Sequence, residues 1–203
     1  MSTRRRFLGF STAAFCSALV SPVVAATPPV YDEALLSARL GALAEGQLRA
    51  IASEPILTEA VETKNRLTGA YSANLIARLD GDWRREVYSL NNRSLIPSVM
   101  DHAASRYLKT VQARSDGLYT EFILMDARGL NVGLSMLTPD YWQGDEDKWL
   151  RTYPVGPRAV HVGPDELNTA TGIWQRQVSI TVVDRRSLSP IGALCAGVAL
   201  ERV

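Results

Sequence analysis

Cysteine is nearly absent from this chain. Of its 203 residues only Cys16 and Cys195 are cysteines, and Cys16 falls in an apolar N-terminal segment that reads as a removable leader. The remainder keeps one thiol and can form no internal disulfide. Histidine is as scarce, with only His102 and His161. Two distant histidines with no spaced Cys or Glu partner make a poor metal site. No nucleophile elbow, phosphate-cradling glycine loop or dinucleotide fingerprint occurs, so no motif speaks for catalysis. There is no internal repeat and no low-complexity tract. Neither sign of charge dominates, with 22 basic against 21 acidic residues. Electrostatics therefore gives no case for a nucleic-acid partner or an anionic membrane surface.

What is present begins with an address. Thr3-Arg4-Arg5-Arg6-Phe7-Leu8-Gly9 is a twin-arginine block, followed by an Ala- and Ser-rich apolar stretch to Ala26. Val23-Val24-Ala25-Ala26 offers small residues for cleavage. Residues 1–26 read as a twin-arginine export signal, cleaved after Ala25 or Ala26, and this places the mature protein in the periplasm. An uncleaved anchor is the alternative, against which Pro22 and the Ala/Ser content argue. Phe15 before Cys16 is too bulky for a lipidation site. Loss of Arg4, Arg5 and Arg6 leaves the mature chain with a net charge near −2.

The rest, residues 27–203, has ordinary globular composition, 46% hydrophobic and 21% charged, enough for one domain with a core. Its first half has helical periodicity. Leu35, Leu36, Leu40, Leu43, Leu48 and Ile51 form one stripe from Tyr31 to about Ser53. Pro55 ends that helix or opens the next. Ile56, Leu57, Ala60 and Val61 continue an apolar face, and Thr63 to Thr68 reads as a break. Ser72 is placed to cap a helix carrying Leu75, Ile76, Leu79, Trp83 and Val87. A single further helix is expected from Pro97 to Val111, ended by Ser115-Asp116-Gly117.

The second half reads as strands. Phe122-Ile123-Leu124-Met125 is a buried strand, Asp126-Ala127-Arg128-Gly129 a turn, and Leu130 to Ser135 an alternating strand. A polar and aromatic loop, Thr138 to Asp145, leads to a helical turn carrying Lys148, Trp149 and Tyr153. Asp145-Glu146-Asp147 suits the start of that turn. Ala159 to Val162 is a short strand. Trp174 to Val183 alternates, with Gln175, Gln177, Ser179 and Thr181 on one face. Ile191 to Leu200 closes the set, its glycines and alanines allowing close approach of a helix. Helices first and about five antiparallel strands after them indicate an α+β domain with a PAS-like sheet.

Several of these elements together resemble the Cache, or PDC, extracytoplasmic sensor domains. They are the Asp126-Ala127-Arg128-Gly129 hairpin turn, Gly144-Asp145 leading to Lys148-Trp149 and Tyr153, and the pair formed by Val178 to Asp184 and Pro190-Ile191-Gly192-Ala193. The family's proline before the last valine of that pair is Thr181 here, and the connecting turn is longer. The resemblance implies a binding module, with a small metabolite such as an amino acid or carboxylate as ligand and no cofactor. It also implies a separate membrane-bound signalling partner: a histidine kinase, chemoreceptor or cyclic-dinucleotide enzyme.

The candidate ligand contacts follow from the residue types. Tyr141, Trp142, Trp149 and Tyr153 combine apolar faces with polar handles, although Trp149 serves equally as an anchor of the loop. Lys148 is a cation for a carboxylate ligand. His161 sits on a strand that can border the pocket. Gln175 and Gln177 become hydrogen-bonding groups if their face underlies the loop. Cys195, mid-strand among apolar residues, is expected to be unreactive. Two other readings stay open. One is an exported enzyme or cofactor-binding protein; the other is a structural partner with a degenerate pocket, the N-terminal helix offering a homodimer or partner face. The export reading has a direct check: N-terminal sequencing of protein recovered from the periplasm is expected to begin at Ala26 or Thr27, and an intact Met1 would overturn it.

Overall fold

The computed structural model describes residues 27, 29–89, 91 and 93–203. The expected export signal and Cys16 lie outside the described residues. A continuous helical rod comes first: α1 (Glu33–Leu43), a π-helical turn (Ala44–Leu48) and α2 (Arg49–Ala52). Asp32 caps it by accepting from the backbone N–H groups of Ala34 and Leu35. Pro55 then opens α3 (Pro55–Thr68) at its first turn, where a missing N–H costs nothing. Ser72 caps α4 (Ala73–Val87), as its position suggests. Helices α5 (Leu95–Met100) and α6 (Ala103–Ala113) complete the first half.

Two expectations are corrected here. Thr63 to Thr68 does not break the chain but forms the last turns of α3. Its polar side chains are there because they have work on the inside: Asn65 donates to the Ile191 carbonyl and accepts from the Ala127 N–H, and Thr68 donates to Asp126. The helix expected from Pro97 to Val111 is two helices. His102 interrupts it with extended backbone and caps α6 through Nδ1, which accepts from the Ala104 N–H.

The second half is one antiparallel sheet of β1 (Tyr119–Asp126), β2 (Asn131–Leu134), β3 (Val160–Asn168), β4 (Ile173–Val183) and β5 (Pro190–Ala199). Its order is β2-β1-β5-β4-β3, so the first and last strands in sequence are central neighbours. This is the α+β, PAS-like arrangement expected from the sequence. Strand β3 runs six residues beyond its expected end at Val162, through an irregularity between Val162 and Asp165. A short four-residue helix, α7 (Asp147–Leu150), lies in the long connection between β2 and β3.

Alternation gives the sheet two unlike faces. Phe122, Leu124, Val178, Ile180, Val182, Leu194 and Ala196 form one face, covered by α1, α2, α3 and α6 through Leu36, Leu40, Leu48, Leu57 and Leu108. The other face carries Ile123, Met125, Ala193 and Cys195 and packs against Ile76 and Trp83 of α4, Ile96 and Val99 of α5, and Tyr141. Toward β4 this second face turns polar, with Gln175, Gln177, Ser179 and Thr181. Each fully buried aliphatic chain in the first layer contributes about 1.5–3 kcal/mol. Among the described residues no helix is long and apolar enough to cross a membrane.

Leu124 is fully buried at the centre of β1. Leu124→Ala is expected to lower unfolding stability by about 2–5 kcal/mol, read by urea denaturation. A change below half a kcal/mol would mean that the helical layer is not packed on this face.

Candidate functional site

The connection from Leu137 to Tyr153 folds back over the polar end of the sheet and is held there by α4. Asp80 of α4 accepts from the backbone N–H groups of Tyr141 (2.9 Å) and Trp142 (3.0 Å) through one carboxylate oxygen. Its other oxygen pairs with Arg84 at 2.8 Å, and Arg84 reaches on to Asp140 at 2.9 Å. One turn along, the Trp83 indole donates to the Thr138 carbonyl and stacks on the Tyr141 ring at 5.3 Å. From the β2 side, the Asn131 amide donates to Thr138 Oγ1 and the Asp140 carbonyl. The segment is thereby fixed along its length by buried hydrogen bonds, which lose little to water.

Its second half is seated on the hairpin turn between β1 and β2. Trp142 donates its indole N–H to the Arg128 carbonyl, and Trp149 donates to the Asp126 carbonyl. Two glycines make this approach possible. Gly129 has φ +77°, and a Cβ there would sit on the backbone of Gly144; a Cβ on Gly144 would sit on the Trp142 indole. The short helix α7 then crosses above β3, β4 and β5.

Between this cover and the sheet is a cavity of about 340 Å³, within the range of small-ligand sites. Its floor is the polar face of the sheet, with Glu121 and Ile123 from β1 and Gln175 and Gln177 from β4. Its walls are Leu137, Asp140, Gln143, Glu146 and Lys148 of the cover and Glu166 to Ala170 of the β3–β4 hairpin. Gln175 is 1% exposed and is fully engaged. Its Nε2 donates to Glu121 (2.8 Å) and Glu166 (2.7 Å), and its Oε1 accepts from Thr120 and Asn168. Lys148 donates to Gln143 at 3.1 Å and pairs with Glu146 at 2.9 Å. Burial works against its charge, and the nearby carboxylates of Glu146 and Glu121 favour it.

The eight residues singled out from the sequence fall into three groups. Lys148, Gln175 and Gln177 come together in this cavity. Trp142 and Trp149 line a second, mainly apolar cavity of about 440 Å³ beside Ile76, Ala77 and Arg128. Tyr141, Tyr153 and His161 border neither of the two. Tyr141 is buried in the core, its hydroxyl accepting from Lys64 Nζ at 2.6 Å. Tyr153 packs on Trp149 at 5.3 Å. His161 is half-buried on β3, its pKa lowered by burial. Glu121, Glu166, Gln143 and Asn168 were not singled out by the sequence. Only Glu121 carried a usable signal, since it shares the strand face of Ile123.

Cys195 is fully buried and its thiol is pushed up to about 12 by that burial, so it stays protonated and unreactive. Among the described residues no three metal-ligating side chains cluster.

The sequence matches no family model and no curated protein. Solved structures do resemble it. The sensory domain of the Campylobacter jejuni chemoreceptor Tlp3 is 14% identical, with a TM-score of 0.40 over 83% of this chain and 66% of that one. The sensor domain of the V. cholerae histidine kinase DctB is 13% identical, with a TM-score of 0.35 over 83% and 57%. The ligand-binding domain of the Pseudomonas aeruginosa PAO1 amino acid chemoreceptor PctC, in complex with GABA, is 16% identical, with a TM-score of 0.38 over 72% and 59%. This chain spans about two thirds or less of the length of those domains.

Asp80→Ala is expected to cost about 1–3 kcal/mol, because two backbone N–H groups, one buried and one half-buried, lose their acceptor. Hydrogen exchange at the Tyr141 and Trp142 amides is expected to quicken beyond the global loss of stability. Unchanged exchange there would show that the cover is held by other means.

Proposed function

We propose that this protein is an extracytoplasmic small-molecule sensor whose ligand occupies the cavity between the sheet and the Leu137–Tyr153 cover. The observation that carries this reading is the cavity itself. A polar sheet face is roofed by a segment tied down from α4 and the β1–β2 turn, and a space of metabolite size is left beneath it. A roof that served packing alone would be expected to meet aliphatic side chains, as the opposite face of the same sheet does. Gln177 and the outer edges of Glu121 and Glu166 are the groups offered to a ligand; Gln175 braces the two glutamates from beneath, and Lys148 is held by Gln143 and Glu146. The aromatic residues named from the sequence hold this arrangement in place from outside the cavity. The similarity of the chain to sensor domains of chemoreceptors and histidine kinases is consistent with the same reading.

In this proposal the chain is exported by its twin-arginine signal, acts in the periplasm, and reports occupancy to a membrane-bound signalling protein. It needs no catalytic group. A ligand that binds only the folded state raises the unfolding free energy by mass action, about 2.7 kcal/mol at a hundredfold excess over its Kd. A thermal-shift screen of amino acids, amines, carboxylates and purines is expected to yield at least one that raises Tm. Its effect is expected to shrink in Gln177→Leu, which alters the floor of the cavity. A flat response to every class, from a protein that melts cooperatively, would remove the sensor reading.

A further inference from the structure

The cavity is far richer in negative than in positive side chains, and the arrangement of these charges selects a ligand. Four carboxylates line it, Glu121, Asp140, Glu146 and Glu166, against the single ammonium of Lys148. Two of the four are ion-paired: Glu146 with Lys148 at 2.9 Å, and Asp140 with Arg84 at 2.9 Å, a guanidinium that Asp140 shares with Asp80. Glu121 and Glu166 form no ion pair among the described residues. They converge instead on one atom. Gln175 Nε2 donates one hydrogen to each, at 2.8 and 2.7 Å, so their nearest oxygens stand no further apart than the sum of those distances. A primary amide has only two donor hydrogens, and both are spent. The repulsion between the two carboxylates is relieved by no ion pair of their own; Lys148 feels Glu121 but is paired with Glu146.

We infer that the cavity takes an aliphatic amine carrying more than one ammonium group and no carboxylate. This rests on the cavity being the ligand site. One ammonium would lie between Glu121 and Glu166, donating a charge-assisted hydrogen bond to each. The methylene chain would run along Ile123, Leu137 and Leu167. A second ammonium would face Asp140, whose guanidinium partner is shared with Asp80 and leaves part of its charge unmatched. A carboxylate ligand has no comparable seat. The only lining cation is Lys148, 8% exposed and held by Glu146 and Gln143, so an incoming carboxylate would have to displace Glu146 and then face the two unpaired glutamates. A divalent metal is disfavoured by the absence, among the described residues, of three clustered ligating side chains.

Titration calorimetry of the exported protein with putrescine and spermidine tests this, with succinate, a neutral amino acid and lysine as comparators. Putrescine or spermidine is expected to bind more tightly than any of the three, and less tightly as salt is raised. The double variant Glu121→Gln, Glu166→Gln is expected to weaken that binding by at least about tenfold, while Asp184→Asn, remote from the cavity, leaves it unchanged. A cooperative melt of each variant verifies folding, and the salt series on the unaltered protein stands independently of any variant. Tighter binding of succinate or either amino acid would overturn the inference and leave the sensor reading intact. Diamine binding that ignores the double substitution would place the amine elsewhere and overturn it too. No binding by any probe would count against the cavity as a site and against this inference together.

Discussion

One carboxylate ties the middle of the cavity's roof to the helix beside it. Asp80 is on a helix, Tyr141 and Trp142 are on an irregular segment, and nothing local in either sequence brings them together. Yet a single oxygen of Asp80 accepts from two successive backbone N–H groups, and the other oxygen is neutralised by Arg84, which also grips Asp140. An irregular segment that crosses a sheet face must find partners for its peptide groups or remain in water. Asp80, Asn131, and the carbonyls of Asp126 and Arg128 that receive the indole N–H groups of Trp149 and Trp142 supply contacts along most of its length. The roof is therefore a hydrogen-bonded structure resting on polar supports, and it can stand away from the floor without collapsing onto it. An apolar roof would gain by closing that gap.

The sheet enables this by being two different surfaces. Strand β4 shows it most clearly. Val178, Ile180 and Val182 turn toward the helices, while Gln175, Gln177 and Ser179 turn toward the roof. The same alternation was visible in the sequence, and it is why the polar face and two of its residues could be named in advance. The hairpin turn at Asp126-Ala127-Arg128-Gly129 and the smooth last strand were legible for similar local reasons. At Gly192 a Cβ would collide first with the Met125 carbonyl of β1 and then crowd Val61 of α3.

What was not legible depended on partners distant in the chain. Glu166 sits in Gly163-Pro164-Asp165-Glu166, a sequence that reads as a turn; it is a bulged strand because β4 supplies the pairing. Tyr141 is amphipathic in any context. Whether its ring faces a ligand or the core was settled by Trp83 and Lys64, which lie on other elements and leave no mark near residue 141. The last turns of α3 looked polar enough to be a break, since their buried acceptors, Ile191 and Asp126, are more than fifty residues away. Periodicity reports which side of an element is wet; it does not report what stands opposite.

The ion pairs at the far side of the sheet link β4 to the helical rod. Arg176 pairs with Glu33 at the start of the helical rod and with Asp165 on β3, and Tyr31 donates to the same Asp165. Gln175, its neighbour in the chain, lies beneath the cavity. Adjacent residues of one strand thus face the cavity on one side and the leading end of the long helix on the other, and only the thickness of a single β-strand separates the two.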